Sequence, residues 1–248
     1  MFLAVVGSRT YSPYGKQVCE KLIAGLRGYP IVIVSGLALG IDGIAHQSAL
    51  DAGLTTVAVP GSGLNEDVLY PATHRALARK ILETNGALVS EFPHDARPRP
   101  YMFPQRNRIM AGMSHAVLVI EAEEKSGTLI TSRLAVEYNR DVLAVPGPIH
   151  ASTSKGPHML LKRGAAMITE SADILQALSI EEREQGQPTL PLDLSEDEHA
   201  LLSHLAEPLP RDVLIQKSGL SATEANIMLS SLELRGAIEE HMGKVQRT

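Results

Sequence analysis

Seven short apolar runs alternate with stretches of helical periodicity, and this pattern restricts the fold of the chain more than any other feature. Most of the runs are continuous in Val, Ile, Leu and Ala, which is typical of strands buried on both faces of a sheet. The predicted strands are residues 2–6, 31–34, 55–59, 87–90, 116–120, 142–145 and 166–168. The predicted helices between them include residues 17–26, 44–52, 75–82 and 130–138. This alternation predicts an α/β fold, a doubly wound and mainly parallel sheet with helices on both sides.

A polar segment at residues 179–191 contains several glutamates and ends near prolines, which is typical of a linker. It predicts two domains, a large one at residues 1–178 and a small one at residues 192–248. Composition agrees with a soluble chain, because no apolar run approaches the roughly 20 residues that a membrane helix needs. The only cysteine, Cys19, excludes an internal disulfide. We therefore expect a cytoplasmic protein without membrane insertion.

The small domain carries the signals of three helices and a hairpin. Ser195, with Glu198 three residues later, predicts the first helix start. Pro210 suits the start of the second helix, and a third helix is predicted at residues 223–234. The remaining signals are Gly236 as the end of the third helix, strands at residues 237–240 and 244–246, and a turn at Met242-Gly243. The order predicts a winged-helix domain.

Right-handed crossovers place the carboxyl ends of the parallel strands at one edge, which is where ligands of such sheets bind. The first strand is followed there by Gly7, Ser8 and Arg9. A glycine allows the backbone to approach a phosphate, and Ser8 and Arg9 add hydroxyl and guanidinium donors. The alternative is a simple strand-to-helix turn.

Two further glycine turns are predicted at the same edge. Residues 35–42 include Ser35, Gly36 and Gly40, and they resemble a phosphate-binding turn without the lysine of a Walker A loop. Asp42 is also interpretable as a helix cap. Residues 59–63 form the third turn, and together these turns suggest a shallow floor that a ligand backbone can approach.

The segment at residues 103–108 combines Phe103 with Arg106, Asn107 and Arg108. An exposed aromatic ring can stack on a base, and guanidinium groups can hold phosphates, which is what single-stranded nucleic acid requires. Pro104 favours helix initiation and is expected to place the other three residues in a first helical turn, where the helix dipole attracts anions. The alternative is a buried ring beside solvent-exposed arginines.

The charge around residues 97–108 favours binding of nucleic acid, whereas the net charge of the whole chain does not. The net charge of −5 argues against a nucleic-acid ligand. Four arginines and no acidic residue nevertheless lie between Arg97 and Arg108, and the local field matters more than the sum.

Two later segments add candidate anion contacts. Ser126, Gly127 and Thr128 follow the fifth strand and offer amide and hydroxyl donors at a helix start, although Thr128 alone is also interpretable as an N-cap. Lys155 lies in a basic segment after the sixth strand, where the alternative is an ordinary surface lysine. No histidine pair shows metal-ligand spacing and no nucleophile elbow is present, so we expect neither a metal, nor a cofactor, nor an enzyme.

The motifs together resemble the DNA-processing protein A family, also called DprA or Smf. The resemblance is carried by the turns at residues 7–9, 35–42 and 145–147 and by the longer segments at residues 103–110 and 126–135. They follow one another in the order of the family and cover nearly all of residues 1–178. The tail is similar to the winged-helix domain of the same family.

This resemblance implies an extended Rossmann fold that binds single-stranded DNA without base specificity. It also implies a homodimer that acts in natural transformation by protecting incoming strands, displacing single-strand binding protein and loading the RecA recombinase. The family pocket corresponds here to Arg9, Phe103, Arg106 and Arg108.

The chain departs from the family pattern in three places. Many members carry an N-terminal helical domain, whereas this chain begins at the first strand. Many have Gly-x-Asn where this chain has Gly156-Pro157-His158, and a lysine where it has Pro100-Tyr101-Met102. As a hypothesis, Arg99 replaces that lysine.

Two alternatives belong to other functional classes. Residues 124–131 resemble the motif of nucleotide phosphoribohydrolases of the lysine-decarboxylase-like group, but Thr131 stands where their catalytic glutamate would be. A threonine cannot do the work of that carboxylate. A winged-helix transcription regulator is the other alternative, although the predicted recognition helix contains Glu224 and Glu233 and no basic residue.

Overall fold

The computed structural model describes residues 1–181, 195–205, 209–234, 237–241 and 244–247. The chain divides into two compact units, Met1–Glu182 and Arg183–Thr248. Most of the predicted linker, residues 182–191, lies outside the described residues. So do the predicted helix end at Gly236 and the turn at Met242-Gly243.

The described part of the first unit contains seven strands. They are β1 (Phe2–Val6), β2 (Val32–Ser35), β3 (Thr56–Ala58), β4 (Ala87–Leu88), β5 (Ala116–Val119), β6 (Asp141–Ala144) and β7 (Ala166–Met167). Each lies within two residues of a predicted strand at both ends. They form one sheet in the order β4-β3-β2-β1-β5-β6-β7, and every neighbouring pair is parallel. The prediction of a doubly wound parallel sheet is therefore confirmed.

Seven α-helices within residues 1–181 connect or follow these strands. They are α1 (Pro13–Ala24), α2 (Ile41–Asp51), α3 (Arg75–Glu83), α4 (Met102–Met113), α5 (Thr128–Glu137), α6 (Lys155–Lys162) and α7 (Ser171–Ala177). Helix α1 begins four residues before its predicted start at residue 17. Its polar first turn lacks apolar periodicity, but Ser12 caps it by accepting a hydrogen bond from the Gly15 amide, and Pro13 has the fixed φ that suits a helix start.

Alternate residues of the central strand β1 face opposite sides of the sheet. Leu3 and Val5 pack in one cluster with apolar residues of α1, α2 and α7. Ala4 and Val6 pack in a second cluster with residues of α4 and α5. The sheet is thus covered on both faces, which explains why its strands read as continuous apolar runs.

The strand order reverses between β1 and β5. The connection after β1 leads to β2 on one side, whereas the connection after β5 leads to β6 on the other. The turns that follow these two neighbouring strands therefore diverge and leave a crevice at the carboxyl edge, which is where ligands bind to open α/β sheets.

The second unit has the predicted three helices and hairpin, namely α8 (Glu196–Ser203), α9 (Arg211–Ser218), α10 (Ala222–Leu234), β9 (Ile238–His241) and β10 (Lys244–Arg247). Ser195 and Glu198 form the expected capping box at α8. The sequence did not predict β8 (Leu209–Pro210), which pairs antiparallel with β10. Leucines from all three helices pack against Ile238 and Val245 of the hairpin.

No helix among the described residues has both the length and the apolar character that crossing a membrane requires.

Candidate nucleic-acid interface

A pocket of about 600 Å³ opens at the carboxyl edge of the sheet, between the turns that follow β1 and β5 and the first half of α4. We call it the edge pocket. Nine of the residues proposed from the sequence line it, namely Gly7, Ser8, Arg9, Phe103, Arg106, Asn107, Ser126, Gly127 and Thr128. The structure therefore brings together residues from segments that are about a hundred positions apart in the chain.

Arg9 and Phe103 form a contact at the mouth of the edge pocket. The Arg9 guanidinium carbon lies 5.3 Å from the centroid of the Phe103 ring, within the range of a cation–π interaction. Arg9 is exposed and has no ion pair with any described residue. Its positive charge therefore remains available to an anion.

The Phe103 ring is half-buried, whereas the sequence suggested an exposed ring. It packs over Gly61, where any Cβ atom would collide with the ring. Tyr70 lies beside it, with the ring centroids 5.6 Å apart and the planes tilted by 58°. Gly61 belongs to the third glycine turn, so this turn supports the aromatic ring and does not itself line the pocket.

The turns after β1 and β5 are joined by hydrogen bonds. The Thr128 hydroxyl donates to the Gly7 carbonyl at 3.0 Å, and Ser126 Oγ accepts from the Thr128 amide at 3.2 Å. Helix α5 begins at Thr128, with Gly127 at its N-cap position and no side-chain cap. The positive end of the α5 dipole therefore faces the edge pocket and favours an anionic ligand.

Helix α4 begins at Met102, so the prediction that residues 106–108 occupy its first turn is wrong. Proline is tolerated at the third helical position because the first four amides of a helix have no intrahelical acceptor. Pro104 therefore lies inside the first turn and does not mark its start. Arg106, Asn107 and Arg108 occupy the second turn, where the side chains separate onto two faces.

Arg106 is buried, with 4% of its surface exposed, and its guanidinium points into the protein. It donates hydrogen bonds to the carbonyl oxygens of Gly36 and Val59, which follow β2 and β3. Burial lowers the pKa of Arg106 to about 10; the carboxylate of Asp42 opposes that shift and the charge of Arg9 adds to it. Although buried, Arg106 also lines the wall of the edge pocket.

Asp42 is also buried, with 6% of its surface exposed, and its carboxyl group interacts electrostatically with Arg106. Its carboxylate accepts hydrogen bonds from the amides of Gly36 at 3.1 Å and Ala38 at 3.4 Å. Burial raises the pKa of Asp42, and the nearby Arg106 guanidinium opposes this shift. Asp42 is not the cap of α2, because Gly40 holds the N-cap position. Asp42 thus stabilises the turn after β2.

Asn107 connects α4 to the turn after β5. Its Oδ1 atom accepts a hydrogen bond from Arg106 Nε at 3.2 Å, and its Nδ2 atom donates to the Gly127 carbonyl at 3.5 Å. The adjacent side chains of Arg106 and Asn107 therefore link one helical turn to the turns that follow three different strands.

Five proposed residues do not line the edge pocket. Ser35 is buried and donates to the Val5 carbonyl, while Gly36 lines only a small adjoining recess of about 20 Å³ together with Arg9 and Phe103. Gly40 abuts the Ser8 carbonyl from behind the first turn. The other two are Arg108, which is ion-paired with Glu91, and Lys155, which is exposed at the start of α6.

Helical spacing would have identified some of the lining residues that the sequence analysis missed. Met110 lies four positions after Arg106 on α4, and Thr131 lies three positions after Thr128 on α5, so each shares a helix face with a proposed residue. Exposed Glu123 also lines the pocket but carries no periodic signal.

The residues at which the chain departs from the family pattern lie partly outside the edge pocket. His158 contacts the Gly147 carbonyl through Nε2 at 3.0 Å and does not line the edge pocket. Pro100 lines the pocket, and Arg99 precedes it as an exposed side chain. Among the described residues, no group of three His, Cys, Asp or Glu side chains is arranged to hold a metal ion.

Two family profiles match the chain. The profile of DNA recombination-mediator protein A matches residues 1–179, and that of the DprA winged helix domain matches residues 185–244. Protein Smf of Escherichia coli strain K12 is 42% identical, with 95% of this chain and 65% of that protein covered. DNA processing protein DprA of Streptococcus pneumoniae strain R6 is 44% identical, with 70% of this chain and 60% of that protein covered. The chain thus spans less than two thirds of these relatives.

Solved structures give the same result. The X-ray structure of DNA processing protein A from Streptococcus pneumoniae superposes with a TM-score of 0.66 and 43% identity, and covers 73% of this chain and 62% of its own. DNA processing protein A from Helicobacter pylori, which binds single-stranded DNA, superposes with a TM-score of 0.64 and 32% identity, and covers 72% of this chain and 80% of its own. The fold, the profiles and these relatives agree, and the chain belongs to the DNA recombination-mediator protein A family.

Proposed function

We propose that the edge pocket binds single-stranded DNA without regard to base sequence. The observation that carries this proposal is the convergence on one pocket of an aromatic ring, a helix N-terminus and an exposed guanidinium that has no carboxylate partner among the described residues. Base stacking and phosphate attraction are the two interactions that single strands require, and neither depends on base identity. The single-strand binding of the Helicobacter pylori relative supports the proposal.

Within this proposal each part of the pocket has a separate role. Phe103 stacks on a base, Arg9 binds a phosphate, and the amides and hydroxyls at residues 126–128 bind a second anionic oxygen. Gly7 and Ser8 let the nucleic-acid backbone approach the end of β1. Arg108 and Lys155 are exposed and contact phosphates outside the pocket, although Arg108 must first exchange its Glu91 partner.

Arg9 changes partner when DNA binds, in our proposal. In the protein alone its guanidinium lies over the ring on which a base would stack. Moving Arg9 to a phosphate frees that ring and forfeits a cation–π contact of about 0.5–1 kcal/mol at an exposed site. A charge-assisted bond to a phosphate is worth about 1.5–3 kcal/mol, so the exchange is favourable.

We further propose that the protein acts in the cytoplasm as a homodimer during natural transformation. There it protects incoming strands, displaces single-strand binding protein and loads RecA. The large domain at residues 1–178 binds the strand, the segment at residues 179–191 links the domains, and the small domain at residues 192–248 makes protein contacts. The acidic residues Glu224 and Glu233 on α10 favour protein partners over a phosphate backbone.

Binding without catalysis is part of the same proposal. Thr131 is buried at the wall of the edge pocket, in the position where a phosphoribohydrolase would carry glutamate. A hydroxyl of ordinary acidity cannot replace that carboxylate as a general base. Release of a free base from a nucleoside monophosphate by the purified protein would overturn this part.

We expect stronger binding to a single-stranded oligonucleotide than to the corresponding duplex, because paired bases cannot reach the Phe103 ring. Fluorescence anisotropy with both probes at several salt concentrations measures the difference. Affinity for the single strand should fall steeply with salt. A plot of log affinity against log salt concentration should have a slope of about −0.7 for each phosphate bound. Equal affinity for both probes, or no binding at low salt, contradicts the proposal.

The same purified protein tests the recombination role in a second stage. RecA ATP hydrolysis on strands coated with single-strand binding protein should start sooner when the protein is present. An unchanged lag, in protein that binds single strands, would leave DNA binding in place and remove the loading role.

Phe103→Ala is expected to weaken single-strand binding by about 1–3 kcal/mol, the contribution of one base stacked on an aromatic side chain. Phe103→Leu keeps an apolar side chain over Gly61 but has no ring, so it should lose nearly as much. Tyr138→Ala is the matched control, since Tyr138 is an exposed aromatic outside the edge pocket. Wild-type affinity in a folded Phe103→Leu variant would show that the ring only packs.

A further inference from the structure

Arg106 and Asp42 form a buried network behind the edge pocket. The guanidinium donates to the Gly36 and Val59 carbonyls, and the carboxylate accepts from the Gly36 and Ala38 amides. The peptide groups on either side of Gly36 are therefore bonded to both members of the pair. At Gly36 any Cβ atom would collide with the Arg106 guanidinium, so the turn and the side chain fit closely.

We propose that Arg106 and Asp42 are positioning residues that hold the edge pocket in its binding geometry, and that Arg106 does not serve as a phosphate ligand. This inference rests on the proposed single-strand binding and assigns a different role to one arginine of the 103–108 segment. Its basis is the direction of the Arg106 side chain, which is buried and donates to two backbone carbonyls.

Helix α4 connects the buried pair to the residues that would contact DNA. Phe103 precedes Arg106 by three positions, so the two side chains lie on the same helical face, one turn apart. The bonds of Arg106 to the ends of β2 and β3 fix that face against the sheet. The ring is held over Gly61, two positions after Val59, and Arg9 in turn lies over the ring. Releasing the pair would therefore displace the ring and its guanidinium partner together.

Charge also favours positioning. A phosphate that approached Arg106 would have to compete with the two carbonyls that already accept from its guanidinium and with the attraction of buried Asp42. Arg9 has no such partner among the described residues and is exposed. Of the two arginines that line the edge pocket, Arg9 is the one whose charge is free for DNA.

The decisive variant is Asp42→Asn, with Glu123→Gln as its matched control. Both replace a carboxyl group in the lining of the edge pocket with an amide of similar shape. If electrostatics alone mattered, neither would weaken single-strand binding, because replacing a carboxyl group can only reduce repulsion from phosphates. The positioning role predicts opposite signs. Glu123→Gln should bind more tightly, whereas Asp42→Asn should bind about tenfold more weakly, within the range of one lost base stack.

A second pair of variants distinguishes a residue that contacts phosphate from one that positions the pocket. The distinction is made by how strongly DNA affinity depends on salt concentration. Arg9→Ala should reduce the slope of log affinity against log salt by about 0.7, the value for one phosphate on a single strand. Arg106→Lys keeps the charge, but its single ammonium cannot stand both where Nη1 bonds the two carbonyls and where Nε bonds Asn107. It should lose affinity by about tenfold with an unchanged slope, again within the range of one base stack.

Anisotropy titrations of the full chain with a dT oligonucleotide at four salt concentrations measure all of these effects, after thermal unfolding has shown that each variant is folded. Weaker binding of Asp42→Asn with a wild-type slope supports the inference even if Arg106→Lys does not fold. Tighter binding of Asp42→Asn, or wild-type affinity in Arg106→Lys, overturns it and leaves single-strand binding intact. Absence of binding by the wild type overturns both.

Discussion

Arg106→Leu is expected to lower the free energy of unfolding of the first unit by about 3–5 kcal/mol, the usual cost of leaving a buried charge uncompensated. Asp42 would keep its buried carboxylate without a counter-ion, and the Gly36 and Val59 carbonyls would lose a donor. A domain of this size loses about 2–4 °C of melting temperature per kcal/mol, so the expected decrease is roughly 6–20 °C. Thermal unfolding followed by circular dichroism measures it.

The control for Arg106→Leu is the double variant that also carries Asp42→Asn. The asparagine removes the unpaired charge but keeps a side-chain oxygen for the Gly36 amide. The double variant should therefore be more stable than Arg106→Leu alone, since the two positions form one network. A double variant that is no more stable, or a single variant within about 0.5 kcal/mol of wild type, which is typical of a surface substitution, contradicts the expected coupling.

The loss in Arg106→Leu should also depend on pH. Burial raises the pKa of Asp42 in the folded state, and Arg106 opposes that rise. A carboxyl group with a raised folded-state pKa favours folding when it is protonated, and that contribution is lost as the pH rises through the folded-state pKa. Without Arg106 the pKa rises further, so the stability deficit relative to wild type should shrink as the pH falls toward the ordinary carboxyl pKa of about 4. The double variant, in which Asp42→Asn has removed the titrating group, should not show this change.

Gly40→Ala is expected to impair both folding and DNA binding. Gly40 has φ 84° and ψ −135°, a conformation that strains any residue with a Cβ atom by about 1–3 kcal/mol. An added Cβ would also collide with the Ser8 carbonyl and with the Arg9 backbone. The turn that carries Arg9 must then move, and we expect single-strand affinity to fall by about tenfold, or 1.4 kcal/mol.

Gly53→Ala is the matched control for Gly40→Ala. Gly53 also has a positive φ, 70°, but an added Cβ would have no neighbour within 4 Å. It should cost only about 1–2 kcal/mol of stability for the left-handed conformation and leave DNA affinity unchanged. Thermal unfolding and anisotropy titration of both variants compare the two positions. The same affinity in Gly40→Ala and Gly53→Ala would show that the turn after β1 tolerates displacement.

The sheet was predictable because its strands obey a local rule. Each buried strand is a continuous apolar run that is bounded by turn residues, and all seven runs were found from the residues alone. The two-residue strand β8 has no such signal, because Leu209-Pro210 is too short to show periodicity. It exists through pairing with β10, which lies about 35 positions later in the chain.

The site was predictable in composition but not in side-chain direction. Arginine is rarely buried without a partner, and the partner of Arg106 lies 64 positions earlier in the chain, on a different helix. No local pattern connects Asp42 to Arg106, so the sequence indicated two solvent-facing arginines at residues 106 and 108. Helical geometry sends one inward and one outward, and only the fold shows which.

The reversal of strand order between β1 and β5 has a consequence for how such proteins diversify. The edge pocket exists because the chain leaves the two adjacent strands in opposite directions. Its presence therefore depends on the path of the backbone and hardly on side chains. The residues that furnish it occupy a few turns and one face of α4. A protein that keeps the seven strands but has different residues in these short segments retains the pocket and can bind a different ligand. The same fold can therefore serve several functions, and its shape alone does not identify the ligand.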